Sequence, residues 1–310
     1  MSPRALASPA SLKGVLSASA AAEALAVGFR SVGVEVHTLP VADGGEGTLD
    51  VLGGGTTAHE VVDAFGRPRE AWTRELPDGT RVVEAAQAIP LDPDRLDVIA
   101  ASSRGLGLWI KSLRDCPLVV AVGGTATMDA GEGLLDVLDR LPGPTRVLCD
   151  VATRLYDAPR LFGPQKGATP EQVTELERRF RERRELARYA DLPGSGAAGG
   201  LGAALASLGA ELVPGAEAVL DLLAFDPAPY DLVVTGEGQV DETTWEGKAP
   251  AAVLARCRAS EVPCVVFGGR VSGTVPVTSA VTALSGDPAR AHTDLVELGE
   301  RLGVVAIGGA

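Results

Sequence analysis

The chain is predicted to be an α/β protein with at least two domains, and three observations carry that prediction. The last third alternates strand and helix in a parallel-sheet pattern: YDLVVTGEG, then APAAVLARCRAS, then PCVVFGG. Between residues 58 and 90 the pattern changes to short segments, AHEVVDAFG, REAWTREL and TRVVEAAQAI, broken by Gly66–Arg67–Pro68 and Pro77–Asp78–Gly79. These read as antiparallel strands joined by turns, so a second domain is expected to begin near residue 56. With 310 residues and 45% apolar composition, the chain can bury a substantial core.

Taken in order, Arg4 to Ala7 reads as a strand, a helix starts near Ser17, and VEVHTLPVA supplies a short strand. After the antiparallel segment come a helix near 103–114, the buried strand PLVVAVGG and the run TATMDAGEGLLDVLDR. The clearest helix is TPEQVTELERRFRERRELAR at 169–188. Thr169 can cap it, Pro170 suits its first position and Gln172 completes a capping box. Glu175, Glu177, Glu182 and Glu185 among its arginines mark a solvated face with i,i+4 pairs rather than a nucleic-acid patch.

A net charge of −13 excludes binding to nucleic acid or an anionic membrane through bulk electrostatics. Any anionic ligand must then be received by a local site, by cations, or by both. Cys116, Cys149, Cys257 and Cys264 have no CxxC spacing, and His37, His59 and His292 are isolated, so neither a disulfide framework nor a zinc site is expected. Cys149 has an apolar flank and reads as a packing residue, whereas Asp150 should project at a strand end. No apolar run reaches the ~20 residues of a membrane helix. The Ala/Ser-rich start lacks a compact apolar region, and the expected location is a reducing cytoplasm.

Four glycine-rich segments carry acids or a lysine: VADGGEGT with Asp43 and Glu46, GGTATMDAGEG with Thr125, Thr127 and Asp129, LFGPQKGA with Gln165 and Lys166, and TGEGQVDETTWEGK with Glu237, Asp241 and Lys248. Any one alone could be a tight turn whose acid caps a helix. Together they suit phosphate that arrives with Mg²⁺, which takes one or two carboxylates plus phosphate oxygens and water, while lysines neutralise a transferring phosphoryl group. PGSGAAGGLGAAL holds a formal GxGxxG at Gly194, Gly196 and Gly199, but it follows a helix rather than a strand. It reads better as a glycine-rich helix N-terminus facing an anion than as a dinucleotide fingerprint. No GxxxxGK[ST] occurs, which excludes a P-loop kinase.

In sequence order, SLKGVLSA, PVADGGEGT, GGTATMDAG, CDV, FGPQKGA, GSGAAGGLGAAL and VVTGEGQVD…GKAP resemble the glycerate kinase family, across nearly the whole chain. The resemblance implies ATP-dependent phosphorylation of D-glycerate to 2-phosphoglycerate by a two-domain α/β enzyme. Its Rossmann-like parallel α/β domain would comprise 1–56 and 197–310, with a mixed α/β domain inserted at 57–196 and the active site in the cleft between them. By position it implicates Lys13, Asp43, Glu46, Thr125, Asp129, Gln165, Lys166, Ser195 and Gly196 of the glycine-rich turn, Glu237, Asp241 and Lys248. On chemical grounds Asp43 or Asp241 is the group to orient or deprotonate the acceptor hydroxyl. Asp43, Glu237 and Asp241 are the candidates for Mg²⁺, and Lys13, Lys166 or Lys248 for phosphate or substrate carboxylate.

The chain departs from the family pattern at four places. Ala10 stands in PASLKGV where an aspartate is expected, ATRLYDAP with Arg154 follows CDV, Leu106 replaces a threonine in SSRGLGL, and a stretch before CDV is shortened to LPGPT. Three readings follow: an ATP- and Mg²⁺-dependent kinase of glycerate or a similar small hydroxy acid; a homologue that binds nucleotide or such an acid without efficient turnover; and, on the misplaced GxGxxG alone, a nicotinamide-dependent oxidoreductase. The sequence leaves the oligomeric state open.

Overall fold

The computed structural model describes residues 3–273 and 280–308. Its strands are β1 Arg4–Ala7, β2 Glu35–Thr38, β3 Gly55–Val62, β4 Pro68–Glu75, β5 Arg81–Glu84, β6 Leu118–Ala121, β7 Thr145–Cys149, β8 Glu211–Pro214, β9 Leu232–Val240, β10 Cys264–Val271 and β11 Ala280–Ala283. The chain divides into two compact units, residues 1–43 with 216–310, and residues 44–215. The sequence reading set these divisions at 56/57 and 196/197. Two features draw flanking residues into the second unit. The Leu49 N–H donates to Glu84 Oε1 at 2.7 Å, and Ala197, Leu201 and Leu205 are buried in that unit's core.

The first unit holds a wholly parallel sheet in the order β11-β10-β9-β1-β2. Numbered within the unit this is 2-1-3-4-5, a doubly wound order whose direction reverses between β1 and β9. One face is covered by helices Ala18–Ser31 and Ala291–Gly308, which bury Leu25, Phe29, Leu295 and Leu298 against Ala5, Val234 and Phe267. Helices Gly215–Leu222 and Ala249–Ala259 cover the other, with Leu220, Val253 and Cys257 against Leu6 and Val233. Ser17 starts the first helix as expected, its Oγ accepting from the Ala20 N–H at 3.1 Å.

The paired helices approach closely at Gly28, where a Cβ would lie 2.0 Å from the Val296 carbonyl oxygen. That contact sets a stability prediction. In an open helix Gly→Ala would stabilise by about 1 kcal/mol; here Gly28→Ala should instead destabilise by about 2 kcal/mol, because backbone must move. A urea midpoint unchanged from wild type would refute this.

The second unit has a six-stranded mixed sheet, β3-β4-β5-β6-β7-β8. Its first three strands pair antiparallel, as expected for 58–90, and β5 to β8 are parallel. The helix expected at 169–188 has its capping box on Thr169 and Gln172 but covers only Pro170–Glu182. Arg183 leaves helical geometry (φ −75°, ψ 66°) and a 3-10 segment, Arg184–Tyr189, follows. The bend buries Leu186 beside Leu176 and Phe180. The expected pairing occurs on the exposed face, with Arg178 and Arg179 on Glu175 and Arg178 also on Glu182. Among the described residues no helix is long and apolar enough to cross a membrane.

Candidate active site

In the first unit a cavity of about 520 Å³ opens at the carboxyl ends of β1, β9, β10 and β11. In parallel sheets, ligands bind outside these ends at the reversal of strand order. The segment after β1 is pinned to β9, Ser8 N–H donating to Val234 O and Ala10 N–H to Gly236 O, both at 2.8 Å. Leu12 and Leu16 then pair across a turn that leaves Lys13 exposed on the cavity wall.

β9 contributes Glu237, and the chain beyond it contributes Asp241 and Lys248. Asp241 caps the 3-10 turn Glu242–Glu246, its Oδ1 accepting from the Thr243 N–H at 2.9 Å and Oγ–H at 2.6 Å. Those hydrogen bonds, the Thr243 hydroxyl first, hold its carboxyl below the usual range against the opposing push of desolvation. Glu237 is shifted the other way. Burial pushes its carboxyl up, and the charges of Asp43 and Asp241 add to the push, while the Thr244 hydroxyl at 2.7 Å and Lys248 oppose it. The Lys248 Nζ lies 3.8 Å from Glu237 Oε2. Thus Lys13, Asp43, Glu237, Asp241 and Lys248, far apart in sequence, belong to one unit, and four of the five line its cavity. Among the described residues no three His, Cys, Asp or Glu side chains are arranged to hold a metal ion by themselves.

The second unit gathers its motifs at the carboxyl ends of β6 and β7. Gly123 packs so tightly that a Cβ there would stand 2.7 Å from Gly45 Cα and 2.9 Å from Asp150 Oδ2. Glu46 is exposed nearby, its Cβ 3.6 Å from the Cβ position of Gly124. Thr125 is buried, and its Oγ1 has no hydrogen-bond partner among the described residues, so this hydroxyl has donor capacity left for a ligand.

Other motif residues serve the scaffold. Asp129 Oδ2 accepts from the Ser103 N–H and Oγ–H, each at 2.8 Å, and Oδ1 from the Gly131 N–H at 3.1 Å. Ser195 is fully buried; its Oγ donates to Ala190 O at 2.8 Å and accepts from the Leu155 N–H at 2.9 Å. The Gly196 N–H donates to Thr153 O at 2.9 Å, and Ala198, Gly199 and Gly200 are left-handed (φ 52°, 68° and 92°). The glycine-rich segment is therefore a buried bend, not the anion-facing helix start that the sequence suggested. Gln165 is exposed on a 3-10 turn, Pro164–Lys166. Cys149 is the expected packing residue, its thiol pushed up to about 12, chiefly by burial.

Lys166 is buried beneath the 123–129 loop, its Nζ donating to Thr127 O at 2.8 Å. Burial lowers its pKa to about 8, against the attraction of Asp150 and Asp129. Between that value and the ordinary lysine range the unfolded chain binds more protons than the folded one, so stability rises with pH there. Wild type should gain about 2 kcal/mol relative to Lys166→Met between pH 8 and pH 10. A pH-independent difference in denaturation free energy would contradict this.

Sequence reasoning missed Glu84, Arg270 and Asp287. Glu84 is buried at the end of β5 and holds the Leu49 N–H; its signal was one acid inside the apolar run RVVEAA. Arg270 and Asp287 join the cavity through the strand order, which no local pattern reports.

A sequence profile described as the Glycerate kinase family matches residues 5–141 and 143–286. Its break falls within LPGPT, where the sequence is shortened. The glycerate kinase of Bacillus subtilis (strain 168) is 34% identical, over 85% of this chain and 84% of its own. The glycerate 2-kinase of Escherichia coli (strain K12) is 33% identical, over 87% of this chain and 86% of its own. A crystal structure from Salmonella typhimurium LT2, assigned to a glycerate kinase 2, superposes with a TM-score of 0.78 at 27% identity, covering 100% of this chain and 99% of that one.

Proposed function

Since the chain belongs to the glycerate kinase family, we propose that it transfers the terminal phosphoryl group of ATP, accompanied by Mg²⁺, to the 2-hydroxyl of D-glycerate, giving 2-phosphoglycerate. Membership makes it an enzyme, a phosphotransferase with an alcohol acceptor. The observation that carries the finer reading is the meeting of Lys13, Glu237, Asp241 and Lys248 at the point where the sheet order reverses.

Phosphoryl transfer needs little covalent work from the protein, so positioning and charge stabilisation dominate. In this reading Lys13 and Lys248 neutralise phosphate oxygens. Asp43 orients the acceptor hydroxyl and takes its proton, because Asp241 is committed to its turn and held as a weak base. The paired carboxylates Glu237 and Asp241 on the cavity wall suit a Mg²⁺ ion carried in by the nucleotide, which needs only one or two of them. Glu237 and Asp241 would hold it. When bound, the ion would supply charge neutralisation at the phosphate. The 57–196 segment would serve as the inserted domain.

Phosphorus NMR of the product tests the regiochemistry. Phosphate on C2 couples to one vicinal proton and gives a doublet, whereas phosphate on C3 couples to two and gives a triplet. A doublet is expected; a triplet would overturn the 2-hydroxyl assignment.

Ala10 favours a second reading. It is partly buried against the core cluster that includes Leu6 and Val233, where the family pattern has a carboxylate, which would suit a homologue that binds without efficient turnover. Turnover that appears only in Ala10→Asp would support that alternative.

A further inference from the structure

The cavity is too large for its expected acceptor. At about 520 Å³ it falls in the range of sites for drug-sized ligands, whereas a three-carbon hydroxy acid would occupy only a corner. It is also elongated by construction. Its walls come from the ends of β1, β9, β10 and β11, three successive strand steps or about 14 Å.

Its chemistry changes along that length. The β1/β9 end carries Lys13, Lys248 and the carboxylates Glu237 and Asp241. The side chain of Arg270, at the β10 end, forms no ion pair or hydrogen bond among the described residues and lies along Gly286, where a Cβ would stand 3.7 Å from its Cγ. The β11 end is apolar at Leu284 and Pro288, with Asp287 beside them. Asp287 has one carboxylate oxygen on the Ala289 N–H at 3.0 Å. Asp294, the other acid at this end, is instead engaged through both oxygens, by Ser285 and Arg290.

We infer that this cavity is the nucleotide subsite, with the polyphosphate along Lys13, Lys248 and Arg270, the base against Leu284 and Pro288, and the ribose hydroxyls at Asp287. Basic side chains at one end and, at the other, apolar residues beside Asp287, the less engaged of the two acids there, follow the order of groups that an adenine nucleotide presents, and acids commonly receive ribose hydroxyls in parallel-sheet sites. That the ligand is ATP rests on the phosphotransfer reading. The assignment puts the reactive phosphate at the end nearest Asp43, and it makes Arg270 and Asp287 affinity determinants for nucleotide rather than for the acceptor.

The test is isothermal titration calorimetry with unlabelled ADP and Mg²⁺ as the probe, without glycerate, combined with steady-state kinetics. Arg270→Met should raise the Kd for this probe about 10-fold, the scale of a hydrogen bond to a charged group. It should raise KM for ATP in step and leave KM for D-glycerate unchanged. Asp287→Ala should weaken binding of ADP but not of tripolyphosphate, which has no ribose. If glycerate is phosphorylated while both variants bind the probe like wild type, or if either raises KM for glycerate alone, the subsite is overturned and the activity stands. If the probe binds with both predicted dependences but glycerate is not phosphorylated, the subsite stands and the activity assignment falls.

Discussion

Asp43→Asn is expected to lower kcat by at least ~10²-fold while changing KM for glycerate little, since the substitution removes a proton acceptor and keeps the shape of the side chain. Asp43 lies close enough to Glu237 for its charge to raise that carboxyl, which places it at the cluster. Asp241→Asn is the informative companion. Asparagine caps as well as aspartate, so the turn at Glu242–Glu246 should survive, and any loss of rate reports on charge rather than on folding. A loss there of similar size would assign Asp241 to the metal-bound phosphate, and near-normal turnover in both variants would remove both from the mechanism.

Glu237→Gln should separate activity from stability. Glu237 is half-buried, with its carboxyl raised by desolvation and by Asp43 and Asp241. For such a group the folded state binds more protons than the unfolded state between the ordinary glutamate range and the raised value, so stability falls as pH rises through that window. Above it the full cost of the buried charge is present. Glutamine can still accept from the Thr244 hydroxyl, and Lys248 stays partly solvated at 31% exposure. The variant should therefore be more stable than wild type at pH 8, with an advantage that shrinks as the pH falls, yet lose about 10²-fold in kcat because a neutral amide would hold Mg²⁺ more weakly than the carboxylate. A variant less stable than wild type at pH 8 would mean that the Lys248 pair outweighs desolvation.

What could be read in advance follows the reach of each signal. β1 at Arg4–Ala7, the Ser17 cap and the Thr169–Gln172 capping box are local, so a few neighbouring residues specify them. The end of the Pro170–Glu182 helix was not legible, because burial of Leu186 beside Phe180 overrides continued helical propensity. The glycine-rich segment misled for the same reason. Ser195 is satisfied by Leu155 and Ala190, and its first partner lies 40 residues away. At the site, the acids and lysines were visible as glycine-flanked motifs. Their environments were not: that Glu237 is raised while Asp241 is lowered depends on burial and on Thr243 and Thr244, which sequence alone does not arrange.

The most direct test of the assignment is coupled ADP release by the purified chain with ATP, Mg²⁺ and D-glycerate, run beside Ala10→Asp. Turnover by the unmodified chain that depends on both Mg²⁺ and D-glycerate is the expected result, with Ala10 tolerated. No glycerate-dependent ADP from either protein, under conditions where nucleotide still binds, would contradict it.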